Sequence, residues 1–344
     1  MALRRRAIVI GAGPTGIAAA IGAADRGFDV NVLESNEIGA SLRTWGATRF
    51  FSPLHMNVTA RMSEILGSEL PQSEALLTGD EYVERVLLPL TEREPLQGRV
   101  HCGMKVVAVG RRGLTRGDYA GHPLRAEKPF RVVTSSDDVF ESEVVIDASG
   151  GLRVPRAFGF GGLPALGERT LHLPVIRTLG SLGSEENELR GRRILVVGAG
   201  HSAANAILAL EQLAASDAAL RVIWATHSAN RRPCAEVMHD PLPERRDVVA
   251  RANELAERPP NFLRVERKAM VERVEQTGDT VIVHLTGNRN VEVDRIAAFT
   301  GYRPDASFLT ELALDISPVT EGGARLNRAI SNVTDCLAVP KVAS

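Results

Sequence analysis

An α/β protein made of two wound units of one plan, the second inserted into the first, is what the sequence predicts. Three observations carry the prediction. An apolar run ends in closely spaced glycines at Ile10-Gly11-Ala12-Gly13, and the arrangement returns at Val197-Gly198-Ala199-Gly200. Far downstream of each stands another apolar run, ending in Ser149-Gly150 and in Thr300-Gly301 respectively. A glycine turn early and a strand ending in small residues late, found twice, are an internal duplication of plan.

Ala7 to Ile10 reads as a buried parallel strand, and Gly11, Gly13 and Gly16, with Pro14 and Thr15 between them, complete a G-x-G-x-x-G turn. Gly11 makes the tight turn, Gly13 lets a pyrophosphate approach the backbone, and Gly16 lets the following helix pack on its strand. Ile17 to Ala24 is that helix, with its positive end toward the phosphates. Asp29 to Leu33 is the second strand, and Glu34 stands at its carboxyl end, where a carboxylate accepts hydrogen bonds from the hydroxyls of an adenosine ribose. Met1 to Arg6 is basic and precedes an apolar run, but three glycines and Pro14 break that run, so no secretory leader is expected. No run of about 18 apolar residues occurs elsewhere, so no membrane span is expected either.

The small-residue loop from Ile38 to Gly46 carries one cation, Arg43, and one aromatic, Trp45; running beside a dinucleotide, it brings Arg43 toward the phosphates. The same loop reads equally as solvated surface. Phe50 to Asn57 mixes polar and aromatic groups, as a pocket wall or a packed loop does. Thr59 to Leu66 and Gly79 to Leu90 read as helices, the second introduced by Thr78-Gly79-Asp80. Val100 to Val109 is predicted as a strand with Val106 and Val107 most buried, leading into an antiparallel meander with Phe130 to Thr134 and Val139 to Phe140. Val144 to Gly151 is a further buried strand, whose small terminal residues leave room for a ligand to cross the sheet edge. Pro155 to Pro164 reads as an interdomain linker.

The second unit opens with Ile194 to Val197 and the turn Gly198-Ala199-Gly200-His201-Ser202-Ala203, where Ala203 replaces the third glycine and still permits close helix–strand packing. Leu220 to Ala225 is its next strand. No acid follows where Glu34 stood in the first unit, and Arg231 and Arg232 are near; this favours a 2′-phosphate, hence NADPH over NADH. Val281 to Leu285 and Val291 to Val293 read as strands, and Ile296 to Asp305 closes the unit.

With 344 residues the chain suffices for two domains, and its net charge of −1 gives no global electrostatic reason for nucleic acid or an anionic membrane as partner. Cys102, Cys234 and Cys336 are few, odd in number and far apart, which points to a reducing compartment, the cytoplasm, and to lone buried thiols. No C-x-x-C and no zinc spacing occur, so neither a redox dithiol nor a metal site is expected.

Four landmarks together (Gly11 to Gly16 with Glu34, Asp147 to Gly150, Gly198 to Ala203, and Thr300 to Asp305) make the chain similar to a known superfamily. It resembles the flavoproteins with two dinucleotide-binding domains, the thioredoxin-reductase-like and flavin-containing monooxygenase-like enzymes, and most of all bacterial FAD-dependent oxidoreductases of the monooxygenase-like branch. The resemblance implies two Rossmann-like domains with three-layer β/β/α sheets: an FAD domain of residues 1–153 plus 300–344, and an inserted NAD(P) domain of residues 154–299. It implies FAD on Gly11, Gly13, Pro14, Thr15, Gly16 and Glu34, with Arg43, Trp45, Val107, Ser149, Gly150, Thr300 and Gly301 around it. NADPH is implied on Gly198, Gly200, His201, Ser202 and Ala203, with Arg231 and Arg232 at its 2′-phosphate. Hydride then passes to the flavin, and in monooxygenases the reduced flavin reacts with oxygen. Phe51 to Asn57 matches the segment where that family places an asparagine beside the flavin, which makes Asn57 the candidate catalytic residue, acting on a small-molecule substrate.

Two departures limit the resemblance. Hydroxylating members carry F-x-G-x-x-x-H before the second glycine turn; here Phe160-Gly161-Gly162 is present, but the nearest histidine, His172, lies too far along. Members also continue after the Thr300-Gly301 strand with a segment that returns to the flavin ring and ends in a helix. The sequence from there to Ser344 shows neither a G-D motif nor that helix. The expectation is an exposed flavin, unless a second copy or a partner chain covers it.

Overall fold

The structure is a computed structural model and describes residues 5–331 and 333. Its first parallel sheet uses β1 (Arg6–Ile10), β2 (Asp29–Leu33) and β3 (Val100–His101). The meander β4 (Val106–Arg111), β5 (Phe130–Thr134) and β6 (Val139–Ser142) follows, and β7 (Val144–Asp147) returns to the sheet, giving the order β3-β2-β1-β7. Alternation along β1 explains the layers. Ala7 and Val9 face the Pro14–Asp25 helix and meet Ile17, Ala20 and Ile21. Ile8 and Ile10 face the other way and meet Val106, Val109 and Val132 of the meander. Each face of the sheet is covered, so the strand is apolar at every position.

A two-stranded ribbon, β8 (Val154–Pro155) against β16 (Tyr302–Arg303), joins this half to the next. Between them β9 (Arg193–Val197), β10 (Arg221–Ala225) and β11 (Leu263–Glu266) form the second parallel sheet. Its meander is β12 (Val271–Thr277), β13 (Thr280–Leu285) and β14 (Arg289–Val293), and β15 (Arg295–Ala298) completes the order β11-β10-β9-β15. Ile194 and Val196 pack on the His201–Ser216 helix, while Leu195 and Val197 pack on the meander. The two halves therefore share one α/β, Rossmann-like plan, three layers deep, as the duplication predicts.

Several local expectations change. The stretch from Val100 to Val109 is two strands, because Met104 turns back to donate its N–H to the Glu34 carbonyl at 2.7 Å. Val107 is exposed: the β4–β5 ladder shifts register between Val106 and Ala108, leaving Val107 on a bulge. β7 is half-buried because it is an edge strand. The expected linker holds β8 and Phe158, which is packed under the second meander. Helices Leu179–Ser184, Pro243–Glu257 and Ala324–Ile330 lack a clear signal in the sequence. The last of these follows the Thr300-Gly301 strand, where no helix was expected; residues 334–344 lie outside the described residues. Among the described residues no helix is long and apolar enough to cross a membrane. No group of three or more His, Cys, Asp or Glu there is placed to hold a metal. Cys234 is buried as expected, with its thiol pushed up to about 11 by burial, whereas Cys102 is exposed.

Candidate functional site

The first glycine turn is built as its spacing requires. Gly11 has φ of +102°, and a Cβ there would lie 2.5 Å from the Ala148 carbonyl oxygen. A Cβ on Gly16 would lie 1.9 Å from the Gly11 oxygen, so helix and turn touch backbone to backbone. Around Gly13 an added Cβ meets nothing within 4 Å: the space in front of the helix is open. That helix has no side-chain cap, and its first intrahelical bond is Ile17 N–H to the Gly13 carbonyl. An open turn with uncapped N–H groups fits a pyrophosphate.

Glu34 ties this turn to β2. One carboxylate oxygen accepts the Ala12 N–H at 2.7 Å; the other accepts the Asn36 N–H at 2.9 Å and the Ser35 hydroxyl at 3.0 Å. Ser149 follows β7 with its N–H on the Asp147 carboxylate at 3.0 Å, and Gly150 beyond it has φ of +86°.

The second turn repeats the first. Gly198 has φ of +123°, and a Cβ there would lie 2.4 Å from the Phe299 oxygen; an added Cβ on Gly200 meets nothing within 4 Å. Its helix also lacks a side-chain cap, Ala203 is fully buried, and Ser202 is exposed. The Trp224 indole N–H donates to the Gly198 carbonyl at 2.7 Å, fixing the turn. Thr300 donates its hydroxyl to the Arg156 carbonyl at 2.9 Å, and Gly301 has φ of +84°, matching Gly150. At the end of β10, where the first half has Glu34, stands buried Thr226.

Other candidate residues are placed differently from their predicted roles. The Arg43 guanidinium is held by Asp80 at 3.1 Å and Glu84 at 2.6 Å. Those carboxylates open a helix that Thr78 and Glu81 start as a capping box. Trp45 stacks in a tilted series with Phe50 and Tyr82, at centroid distances of 5.0 and 5.2 Å. Burial pushes the Tyr82 phenol up to about 12, and it donates to the Asn57 carbonyl at 2.6 Å. The Asn57 side chain closes its own loop. Its amide nitrogen donates to the Ser52 and Pro53 carbonyls, each at 3.0 Å, and its oxygen accepts the Ser52 hydroxyl at 3.0 Å. Here Asn57 is a loop clasp with both amide hydrogens committed, which is not the free side chain expected of a catalytic asparagine. Arg232 is held by Glu236 and Glu257 at 2.6 and 2.8 Å, while Arg231 is exposed on a loop whose carbonyls Arg267 braces at 3.3 Å.

Two features near the second turn escape a reading of the sequence. Phe51, from the first half, makes a T-shaped contact with His201 at 5.5 Å between centroids. A buried ion pair, Asp240 with Arg245 at 2.7 Å, lies close enough to His201 to act on its charge. The only local signal was Pro243, a helix opener between the two partners.

No curated protein matches the chain significantly. Among solved structures it is similar to bacillithiol disulfide reductase Bdr from Staphylococcus aureus, with 20% identity, a TM-score of 0.66, and coverage of 91% of this chain and 81% of that one. It is also similar to thioredoxin reductase from Lactococcus lactis, with 17% identity, a TM-score of 0.59, and coverage of 90% and 82%. L-lysine 6-monooxygenase from Pseudomonas syringae shows 16% identity, a TM-score of 0.60, and coverage of 92% and 87%. These likenesses establish the fold. Residues 5–334 match the family described as pyridine nucleotide-disulphide oxidoreductase, whose members use FAD and a pyridine nucleotide. With that match over nearly all of its length, the chain belongs to the pyridine nucleotide-disulphide oxidoreductase family and is an FAD- and NAD(P)H-dependent oxidoreductase.

Proposed function

We propose that the chain oxidises NADPH through FAD in a monooxygenase-like manner on a small-molecule substrate. The FAD unit is residues 1–153 with 300–344, and the inserted NADPH unit is residues 154–299. The observation that carries this reading is the pair of open, uncapped glycine turns, one per half, with the second joined to the first half through His201 and Phe51. FAD, when bound, supplies the hydride-accepting chemistry. The chain's own residues do the holding. Gly13 and Gly200 leave room for the two pyrophosphates, Glu34 accepts from the ribose beside the first turn, and Arg231, which is exposed, meets the 2′-phosphate beside the second.

A second reading, an NADPH-dependent reductase or oxidase that never hydroxylates, draws support from Asn57, whose amide hydrogens are spent on its own loop. Sequence supports it too: no C-x-x-C supplies a dithiol, and F-x-G-x-x-x-H is absent. In the monooxygenase-like reading a second copy or partner chain helps to exclude water from the flavin. The experiment is aerobic NADPH oxidation by FAD-loaded protein with hydrogen peroxide counted against NADPH, alone and with amine or ketone substrates. Peroxide below NADPH, with a hydroxylated product, supports the monooxygenase. Peroxide equal to NADPH under every condition supports the oxidase. Loaded protein whose flavin NADPH does not reduce would overturn both.

A further inference from the structure

His201 is the first residue of the second-turn helix, directly after Gly200 and its open space. Its imidazole meets groups from three directions. Phe51 approaches from the first half in the T-shaped contact, and the Asp240–Arg245 pair approaches from the loop and helix after β10. The 50–57 loop contributes one more titratable group, His55, which is paired with Glu74 at 3.2 Å. The first turn of the helix itself carries no acid. No anionic partner therefore neutralises the space in front of Gly200.

We infer that His201 takes up a proton from solvent when the diphosphate bridge of a pyridine nucleotide settles on the Gly198–Gly200 turn, and that the imidazolium then holds the nucleotide. The inference rests on the reading of this turn as the nucleotide site. Without ligand, desolvation and the positive charge of Arg245 lower the imidazole below the ordinary histidine value, with Asp240 opposing them, so it is neutral at pH 7. A diphosphate diester brings two negative charges next to the ring and reverses that balance. The face of Phe51 also favours a cation over a neutral ring. His201 is thus a positioning residue that links nucleotide affinity to pH. Binding is tightest in acid and weakens as pH rises through the bound-state pKa.

The test is calorimetric titration of FAD-loaded protein with NADP+ between about pH 6 and 8, in buffers of differing ionisation enthalpy, comparing wild type with His201→Gln. The nucleotide's 2′-phosphate also titrates near this range, and it is common to both proteins. Wild type should bind an additional fraction of a proton, and its Kd should rise more steeply with pH than that of the variant, about tenfold for each unit of pKa shift. Equal proton uptake and parallel Kd curves would overturn the inference, as would wild type that binds without any uptake beyond the 2′-phosphate. Retained FAD and an unchanged circular dichroism spectrum show that H201Q is folded. Absence of NADP+ binding in both proteins would instead overturn the nucleotide reading of this turn, and the inference with it.

Discussion

The two halves repeat one sheet order and one pair of glycine turns, yet four matched positions differ in what covers them. At the outer edge, β15 is covered: Ile176 donates to the Ile296 carbonyl and accepts from Ala298, at 2.9 and 2.8 Å. No described residue pairs with the outer edge of β7. At the meander bulge, the carbonyl of Glu272 accepts from Leu166 at 3.0 Å, whereas Val107 stands exposed. After the second strand stands Glu34 in one half and buried Thr226 in the other. At the start of the central strand, Arg6 pairs with Glu143 in the open, and Arg193 pairs with a largely covered Asp294. One chain plan fixes backbone direction twice, but burial follows from neighbours that only one half has.

Glycine substitutions break the comparison most strongly. Gly16→Val drives a side chain into the Gly11 carbonyl and should cost about 1–3 kcal/mol or more, read as a large fall in Tm with the flavin lost. Gly13→Val and Gly200→Val enter open space, so both should fold. The first should lose FAD; the second should keep FAD and lose NADP+ binding. Unfolding of both would show that the open space is structural.

Glu34→Ala removes the acceptor of the Ala12 N–H and should weaken FAD binding by about 1–3 kcal/mol, measured by flavin fluorescence, without altering NADP+ affinity. Release of FMN with no FAD from denatured wild-type protein would contradict the adenosine-side role. Asp294→Ala should lower stability by about 1–3 kcal/mol in chemical denaturation, because it strips charge-assisted bonds from partly buried Arg193. Glu143→Ala, in the exposed pair, should cost less than about 1 kcal/mol. The Arg193 guanidinium holds the Asp294 carboxyl below the usual range. Its contribution is therefore present above the unfolded-state pKa, about 4, and is lost as pH falls through the native value. D294A should show a shallower loss of stability in acid than wild type. Equal costs for the two acids would mean that burial does not distinguish the halves here.

Arginine substitutions sharpen the comparison at the acid position. Arg231→Ala should raise the KM for NADPH by about tenfold, the worth of roughly 1.4 kcal/mol, while NADH is nearly unchanged. Arg232→Ala, which removes an ion pair to Glu236 and Glu257, should shift both coenzymes alike and only slightly. Equal losses for NADPH and NADH in R231A would remove Arg231 from the 2′-phosphate.

Much of this protein follows from local chemistry along the chain. The strand–turn–helix units were legible because a buried two-faced strand must be apolar throughout and because only glycine tolerates the φ of Gly11 and Gly198. Glu34 and Ala203 were legible for the same reason: their tasks are set by neighbours close in sequence. What escaped the sequence depends on partners far along the chain. Arg43 was assigned to phosphates, and two carboxylates on a helix some forty residues away hold it. Val107 alternates like a core residue, and a bulge turns it outward. Asn57 matched a family position, and its own loop consumes its amide. The meeting of Phe51 with His201 spans two halves that only tertiary packing brings together. Composition and periodicity report which face a residue prefers. The identity of the group that meets it there depends on how distant elements dock, and long-range packing alone decides that.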